Sequence, residues 1–136
     1  MNDERSTLNI EESKLIMEFK NNILAEKSLD FGIRVVNCYK FLSSERQEYV
    51  ASKQLYRSGT SIGANIHESI FAQSRADFVS KLRIALKEAG ETSYWIRRLY
   101  RTAYLDKKTY QPIMSDCDEL IRLLIASINT ADNRAP

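Results

Sequence analysis

The sequence predicts an all-α protein built as an up-down-up-down antiparallel four-helix bundle, and three observations carry that reading. Over 136 residues there are only four glycines and two prolines, too few for the many turns of a β protein. No stretch alternates apolar and polar residues as a half-buried strand would, whereas four segments repeat apolar residues every three or four positions. The connections between those segments are short, which sets consecutive helices antiparallel.

The first helix is expected from Asn22 to Leu42. Ile23, Ala25, Leu29, Ile33, Val36, Tyr39 and Phe41 recur at roughly helical spacing, and Ser43-Ser44 breaks the pattern. The second is expected from Arg46 to Ile70, with Leu55, Gly59, Ile62 and Ile66 on its apolar side. Gly59 and Gly63 stand one turn apart there. A glycine in a helix interior costs about 1 kcal/mol relative to alanine, so the pair predicts a close approach to a neighbouring helix that offsets the penalty; a kink at the same place is the alternative.

Ser74 is placed to cap the third helix by accepting from a free backbone N–H, with Asp77 as a capping-box partner. That helix is expected from Arg75 to Tyr104. At about 100° per residue, Phe78, Ala85, Ala89, Ile96 and Ala103 fall on one line, while Arg83, Lys87, Tyr94, Arg97, Arg98 and Arg101 collect on the opposite side. Ile84 and Trp95 lie at the edge of the stripe and widen it beyond what one bundle seam needs, which predicts a contact between protomers. The fourth helix is expected to begin at Gln111-Pro112, proline suiting a first turn, with Ile113, Cys117, Leu120, Ile121, Leu124 and Ile128 as its apolar face. Residues 129–136 are read as a disordered tail.

The region from Lys53 to Trp95 carries a more specific signal. Gln54-Leu55, then Arg57-Ser58-Gly59-Thr60-Ser61-Ile62-Gly63-Ala64-Asn65-Ile66 with Glu68, then Ser74, Asp77-Phe78, Lys81-Leu82, Ile84 through Ala89, Glu91-Thr92 and Tyr94-Trp95 occur in fixed order. In these positions the chain resembles the small bacterial four-helix-bundle proteins encoded in intervening sequences of large-subunit (23S) ribosomal RNA genes. The resemblance spans residues 20–128, leaving residues 1–19 as an N-terminal arm outside it. Many members carry proline where this chain has Gly63, so it looks closer to the glycine-bearing subgroup. The resemblance implies a homopentameric ring. Relatives of the family include accessory proteins of diversity-generating retroelements, which look like basic pentamers that bind a reverse transcriptase and its RNA template.

Composition is that of an ordinary soluble domain, with 43% hydrophobic and 28% charged residues. No apolar run approaches a membrane span and Met1-Asn2-Asp3-Glu4 has the wrong charge for a signal peptide, so the expected location is cytoplasmic, with no membrane partner. The net charge of +2 hides an uneven distribution. Residues 1–30 hold seven acidic and four basic side chains, whereas residues 31–115 hold fourteen basic and seven acidic. A basic body suits a polyanion, and a solvated surface of fluctuating charge accounts for the same counts.

The residues do not assemble into a catalytic set. Gly59-Thr60-Ser61-Ile62-Gly63 lacks the Lys-Ser or Lys-Thr of a phosphate loop and no strand precedes it. His67 is the sole histidine, so His67-Glu68 cannot be completed into a zinc site, and Cys38 and Cys117 are too far apart in sequence for a metal knuckle. Asp116, Asp118 and Glu119 suit the positive start of a helix dipole. The expectation is a non-enzymatic protein with no metal and no cofactor.

What remains is the basic and aromatic content of the third helix. Arginines contact phosphates and stack on bases, and tyrosine offers a further stacking face. Arg83, Lys87, Tyr94, Arg97, Arg98 and Arg101 are therefore the candidate nucleic-acid-binding residues, with Lys53 and Arg57 extending the face from the second helix. The competing reading has the arginines solvated or paired with Glu88 and Glu91. The sequence thus points to an oligomeric scaffold that binds nucleic acid, RNA before DNA, together with a reverse transcriptase if it follows the retroelement relatives. The alternative is a protein-protein interaction module of the same fold.

Overall fold

The computed structural model describes residues 3–133, with side chains described from Ile23 onward. Four helices account for it: α1 (Asp3–Glu45), α2 (Ala51–Ile70), α3 (Arg75–Arg101) and α4 (Lys107–Asp132). Each helix packs on two neighbours, α1 on α2 and α4, and α3 on α2 and α4. Contacts between neighbours run in opposite sequence directions. Arg57 meets Glu88 while Glu68 meets Lys81 across α2 and α3, and Arg34 meets Asp116 while Lys27 meets Glu119 across α1 and α4. The result is an antiparallel four-helix bundle, with no strand among the described residues.

The core confirms the apolar faces assigned to α2, α3 and α4 and corrects that of α1. Leu55, Ile62 and Ile66 of α2 are buried, as are Leu82, Ala85, Ala89 and Ile96 of α3 and Ile113, Cys117, Leu120, Leu124 and Ile128 of α4. On α1 the buried residues are Leu24, Phe31, Val35, Cys38 and Leu42, whereas Ile23, Leu29, Ile33 and Phe41 are exposed. This helix carries apolar residues on two faces, and periodicity alone selected the outer one.

Helix ends shift for local reasons. Ser43 and Ser44 do not stop α1, because their hydroxyls donate back to the carbonyls of Tyr39 and Lys40 at 2.8 and 2.7 Å and remain within the helix. Chain reversal then occupies residues 46–50, with Gln47 left-handed at φ 51°, so α2 starts at Ala51 instead of Arg46. Its first free N–H groups are met by Glu48, whose carboxylate accepts from Val50, Ala51 and Ser52 at 3.3, 3.1 and 2.7 Å.

Ser74 caps α3 as expected, accepting from Asp77 N–H at 3.1 Å. Helix α3 stops at Arg101 rather than Tyr104, because Ala103 is left-handed at φ 67° and Tyr104 N–H returns to the Leu99 carbonyl at 2.9 Å. That turn drives Leu105 into the core and leaves Ala103, expected on the core line, exposed. Helix α4 begins at Lys107, where Asp106 caps it by accepting from Thr109 N–H at 2.8 Å. Pro112 consequently lies inside the helix, at an exposed position where its missing N–H deprives only the Lys108 carbonyl. Helix α4 also continues to Asp132 with Ser127, Ile128 and Ala131 buried, so residues 129–132 belong to it and not to a disordered tail; residues 134–136 lie outside the described residues.

The glycines of α2 permit a close approach to α1, in an unbroken helix. A Cβ built on Gly59 would stand 2.8 Å from both Cγ atoms of buried Val35, and one on Gly63 would stand 3.3 Å from the Ser28 carbonyl oxygen. Across the other side of α2, Thr92 Oγ1 and Ser58 Oγ share a hydrogen bond at 2.9 Å in the buried α2–α3 seam. No described buried side-chain nitrogen or oxygen lacks a partner.

Candidate nucleic-acid interface

The antiparallel arrangement puts the end of α1, the start of α2, the end of α3 and the start of α4 at one pole of the bundle. Residues 39–54 and 95–110, which build that pole, contain eight basic side chains and three acidic ones. Arg97, Arg98 and Arg101 come from α3, Lys107 and Lys108 from the first turn of α4, Lys40 and Arg46 from the end of α1 and its turn, and Lys53 from α2. None of the eight forms an ion pair with another described residue.

Two of the three acidic groups are occupied with backbone. Burial pushes the Glu48 carboxyl up, but the N–H groups of Ser52, Ala51 and Val50 outweigh it and hold the group below the usual carboxylate range. Asp106 is held low chiefly by the Thr109 N–H it caps, with Arg46 and Lys108 contributing attraction. These carboxylates therefore stay ionised while their lone pairs serve the helix starts.

Aromatic faces accompany the cations. Tyr39 and Tyr56 meet edge-on at 5.1 Å beside Lys40 and Lys53 in a shared depression. Arg46 sits 5.4 Å over Phe41 and Arg98 5.3 Å over Trp95. Tyr100 and Tyr110 stack at 4.0 Å across the α3–α4 turn. Guanidinium and ammonium groups beside half-exposed rings can bind phosphate and offer stacking surfaces to unpaired bases.

The eight sequence candidates separate into two sets. Arg97, Arg98, Arg101 and Lys53 gather at the basic pole, and Tyr94 is 54% exposed one turn away, edge-on to Trp95 at 4.9 Å. Lys87 is exposed further along α3 and belongs with the second set, lining a depression with Arg83 and Asp132. Arg57, by contrast, is bound between Glu88 at 3.4 Å and Glu91. Its bond to Glu91 holds that carboxyl low and raises the guanidinium pKa. Arg83 pairs with Asp132 at 2.6 Å at the opposite pole. Trp95 rests partly against the core and donates Nε1–H to Glu91 at 3.0 Å, while Ile84 is exposed. Lys40 and Arg46 were missed by sequence reasoning because nothing local marks them; only the chain reversal brings them beside α3.

Burial pushes the Cys38 thiol to about 11 and the Cys117 thiol to about 12, so neither supplies a thiolate near neutral pH. The described residues hold no cluster of three or more His, Cys, Asp or Glu suited to a metal ion, and none of their helices is long and apolar enough to cross a membrane.

Fold and surface together define a small four-helix bundle with a cationic pole. The chain belongs to the 23S rRNA-intervening sequence protein family, which matches residues 20–126. It is similar to a crystal structure of a protein of unknown function from the S23 ribosomal protein family of Bacteroides thetaiotaomicron VPI-5482. The two share 55% identity with a TM-score of 0.80, covering 81% of this chain and 98% of that one. Among proteins of curated function, none matches the chain.

Proposed function

We propose that this protein is a non-catalytic, oligomeric scaffold that binds structured RNA through its basic pole. The observation that carries the reading is the convergence there of eight cations from all four helices, none in an ion pair with a described residue and several beside aromatic faces. Phosphates recognise such a surface without sequence preference, and half-exposed rings add stacking with unpaired bases. Arg57 and Arg83 are assigned instead to ion pairs between helices, and Lys87, which lines a depression with Arg83 and Asp132, lies outside the interface. Repetition around a ring, pentameric by family resemblance, would multiply weak contacts into useful avidity. A reverse transcriptase is the protein partner that the retroelement relatives suggest.

The test combines mass and binding. Light scattering at micromolar concentration is expected to give a multiple of the 15.7 kDa chain mass, and fluorescence anisotropy is expected to show binding of a hairpin RNA with single-stranded loops at low salt. A monomeric mass would overturn the scaffold reading. Absence of RNA affinity at low salt would overturn the nucleic-acid reading and leave a module that recognises protein alone.

A further inference from the structure

The depression that Tyr39 and Tyr56 share has a different chemistry at each end. It measures about 580 Å³ and is lined by Val36, Tyr39 and Lys40 of α1 and by Lys53 and Tyr56 of α2. Because the two helices run antiparallel, Val36 and Tyr56 lie toward the middle of the bundle and Lys40 and Lys53 toward the basic pole, with Tyr39 between them. One end is therefore apolar and aromatic, the other cationic.

The lining is free to meet a ligand. Tyr56 is 42% exposed, and its edge-on contact with half-buried Tyr39, at 5.1 Å and 64° between ring planes, holds both rings in place beforehand. Rings that are already ordered cost less to engage. Lys40 and Lys53 have no ion-pair partner among the described residues, and no carboxylate lines the depression.

The acidic groups in the neighbourhood leave that end cationic. Glu45 falls about 140° round α1 from Lys40, and Glu48 is occupied by backbone N–H groups. A longer groove between α1 and α2 shares Val36 and Lys40 with the depression and carries Glu26 and Glu68. Glu26 stands about 21 Å from Lys40 at the helical rise, beyond the reach of screened charge at physiological salt, and Glu68 is paired with Lys81.

We propose that this depression receives one unpaired nucleotide of an RNA loop, with the base against the tyrosine rings and its phosphates at Lys40 and Lys53. The inference rests on the RNA reading of the basic pole and gives that surface a preference for single-stranded positions. Every base has a π face, so stacking on tyrosine does not depend on sequence. In a duplex those faces are covered by neighbouring bases, and only a splayed-out base can enter. Contacts of the pole's arginines with phosphate make no such distinction.

Two measurements on the full chain test the site. A hairpin RNA with a photoreactive iodouridine in its loop is irradiated in complex with the unaltered protein, and the linked residue is mapped. Linkage is expected at Tyr56 or Tyr39; linkage only elsewhere, or none, overturns the proposal. Fluorescence anisotropy then compares the hairpin with a blunt RNA duplex. Tyr56→Ala is expected to weaken hairpin binding roughly 5- to 150-fold, the effect of one lost base stack, and to leave duplex binding unchanged. Tyr56→Phe keeps the ring and is expected to bind the hairpin like the wild type. An unweakened hairpin complex with Tyr56→Ala, equal weakening of hairpin and duplex, or the same loss from Tyr56→Phe overturns the site. In each of those cases hairpin binding by the wild type leaves the RNA reading of the pole standing, whereas a wild type that binds neither RNA overturns both.

Discussion

At the level of single residues, the tightest constraint is Gly59 against Val35. A methyl group at Gly59 would need Val35 to move, but both of its Cγ atoms stand at 2.8 Å and the side chain is fully buried. Gly59→Ala should therefore destabilise the fold by up to about 2 kcal/mol, overpacking of about 1–3 kcal/mol being offset by a propensity gain of about 1 kcal/mol. Gly63→Ala, facing the Ser28 carbonyl at 3.3 Å, should be much nearer neutral. Urea denaturation of the two variants checks the order, and a stabilised Gly59→Ala would mean that α1 and α2 do not approach as described. The sequence made both glycines visible as helix-packing positions. It could not rank them, because the ranking depends on which residue of α1 lies opposite.

Glu48 is the second instructive residue. Its carboxylate closes the start of α2 through three backbone N–H groups, and Glu48→Ala should cost about 0.5–2 kcal/mol, the range for losing a helix N-cap. The folded pKa is lowered relative to the ordinary 4.5, so the stabilisation is present above the unfolded value and is lost as pH falls through the folded one. The stability difference between wild type and Glu48→Gln should accordingly be present at neutral pH and vanish in acid. A pH-independent difference would assign the effect to packing.

At the level of helices, existence and type were legible, as were the end of α2 at Ile70 and the start of α3 at Arg75, while the other ends were not. The interior of α2 is marked by Leu55, Ile62 and Ile66, and the start of α3 by Ser74 and Asp77, because those signals act over one or two turns. Pro112 misled because proline at a first turn and proline at an exposed later position look alike until Asp106 is seen to cap the helix. Periodicity does not separate the outer face of α1 from the inner one, because Leu29 and Ile33 are as apolar as Leu24 and Phe31.

The α3–α4 turn gives a prediction at this scale. Ala103 occupies the left-handed position after α3 that glycine usually fills. Relief of about 1–2 kcal/mol of left-handed strain, less about 0.5–1 kcal/mol of added chain entropy, should leave Ala103→Gly more stable by about 0.5–1 kcal/mol. Thermal denaturation checks the sign, and a lowered melting temperature would show that the turn is held by contacts of the alanine methyl.

At the level of the whole molecule, charge is distributed by topology more than by sequence order. The third helix displayed Arg97, Arg98 and Arg101, but Lys40 and Arg46 join them only because α1 ends where α3 does. The same topology withdraws Arg57 and Arg83 into ion pairs along the α2–α3 seam and at the far pole. Phosphate binding by the basic pole is read from the salt dependence of RNA affinity. Anisotropy across a salt series should show the Arg97→Ala/Arg98→Ala/Arg101→Ala triple variant binding more weakly, with a slope of log affinity against log salt reduced by roughly 2–3, about 0.7–0.9 per lost phosphate contact. An Arg83→Ala variant should keep the wild-type slope. A triple variant with unchanged affinity and slope, or an equal loss from Arg83→Ala, would mean that the basic pole is only a solvated surface.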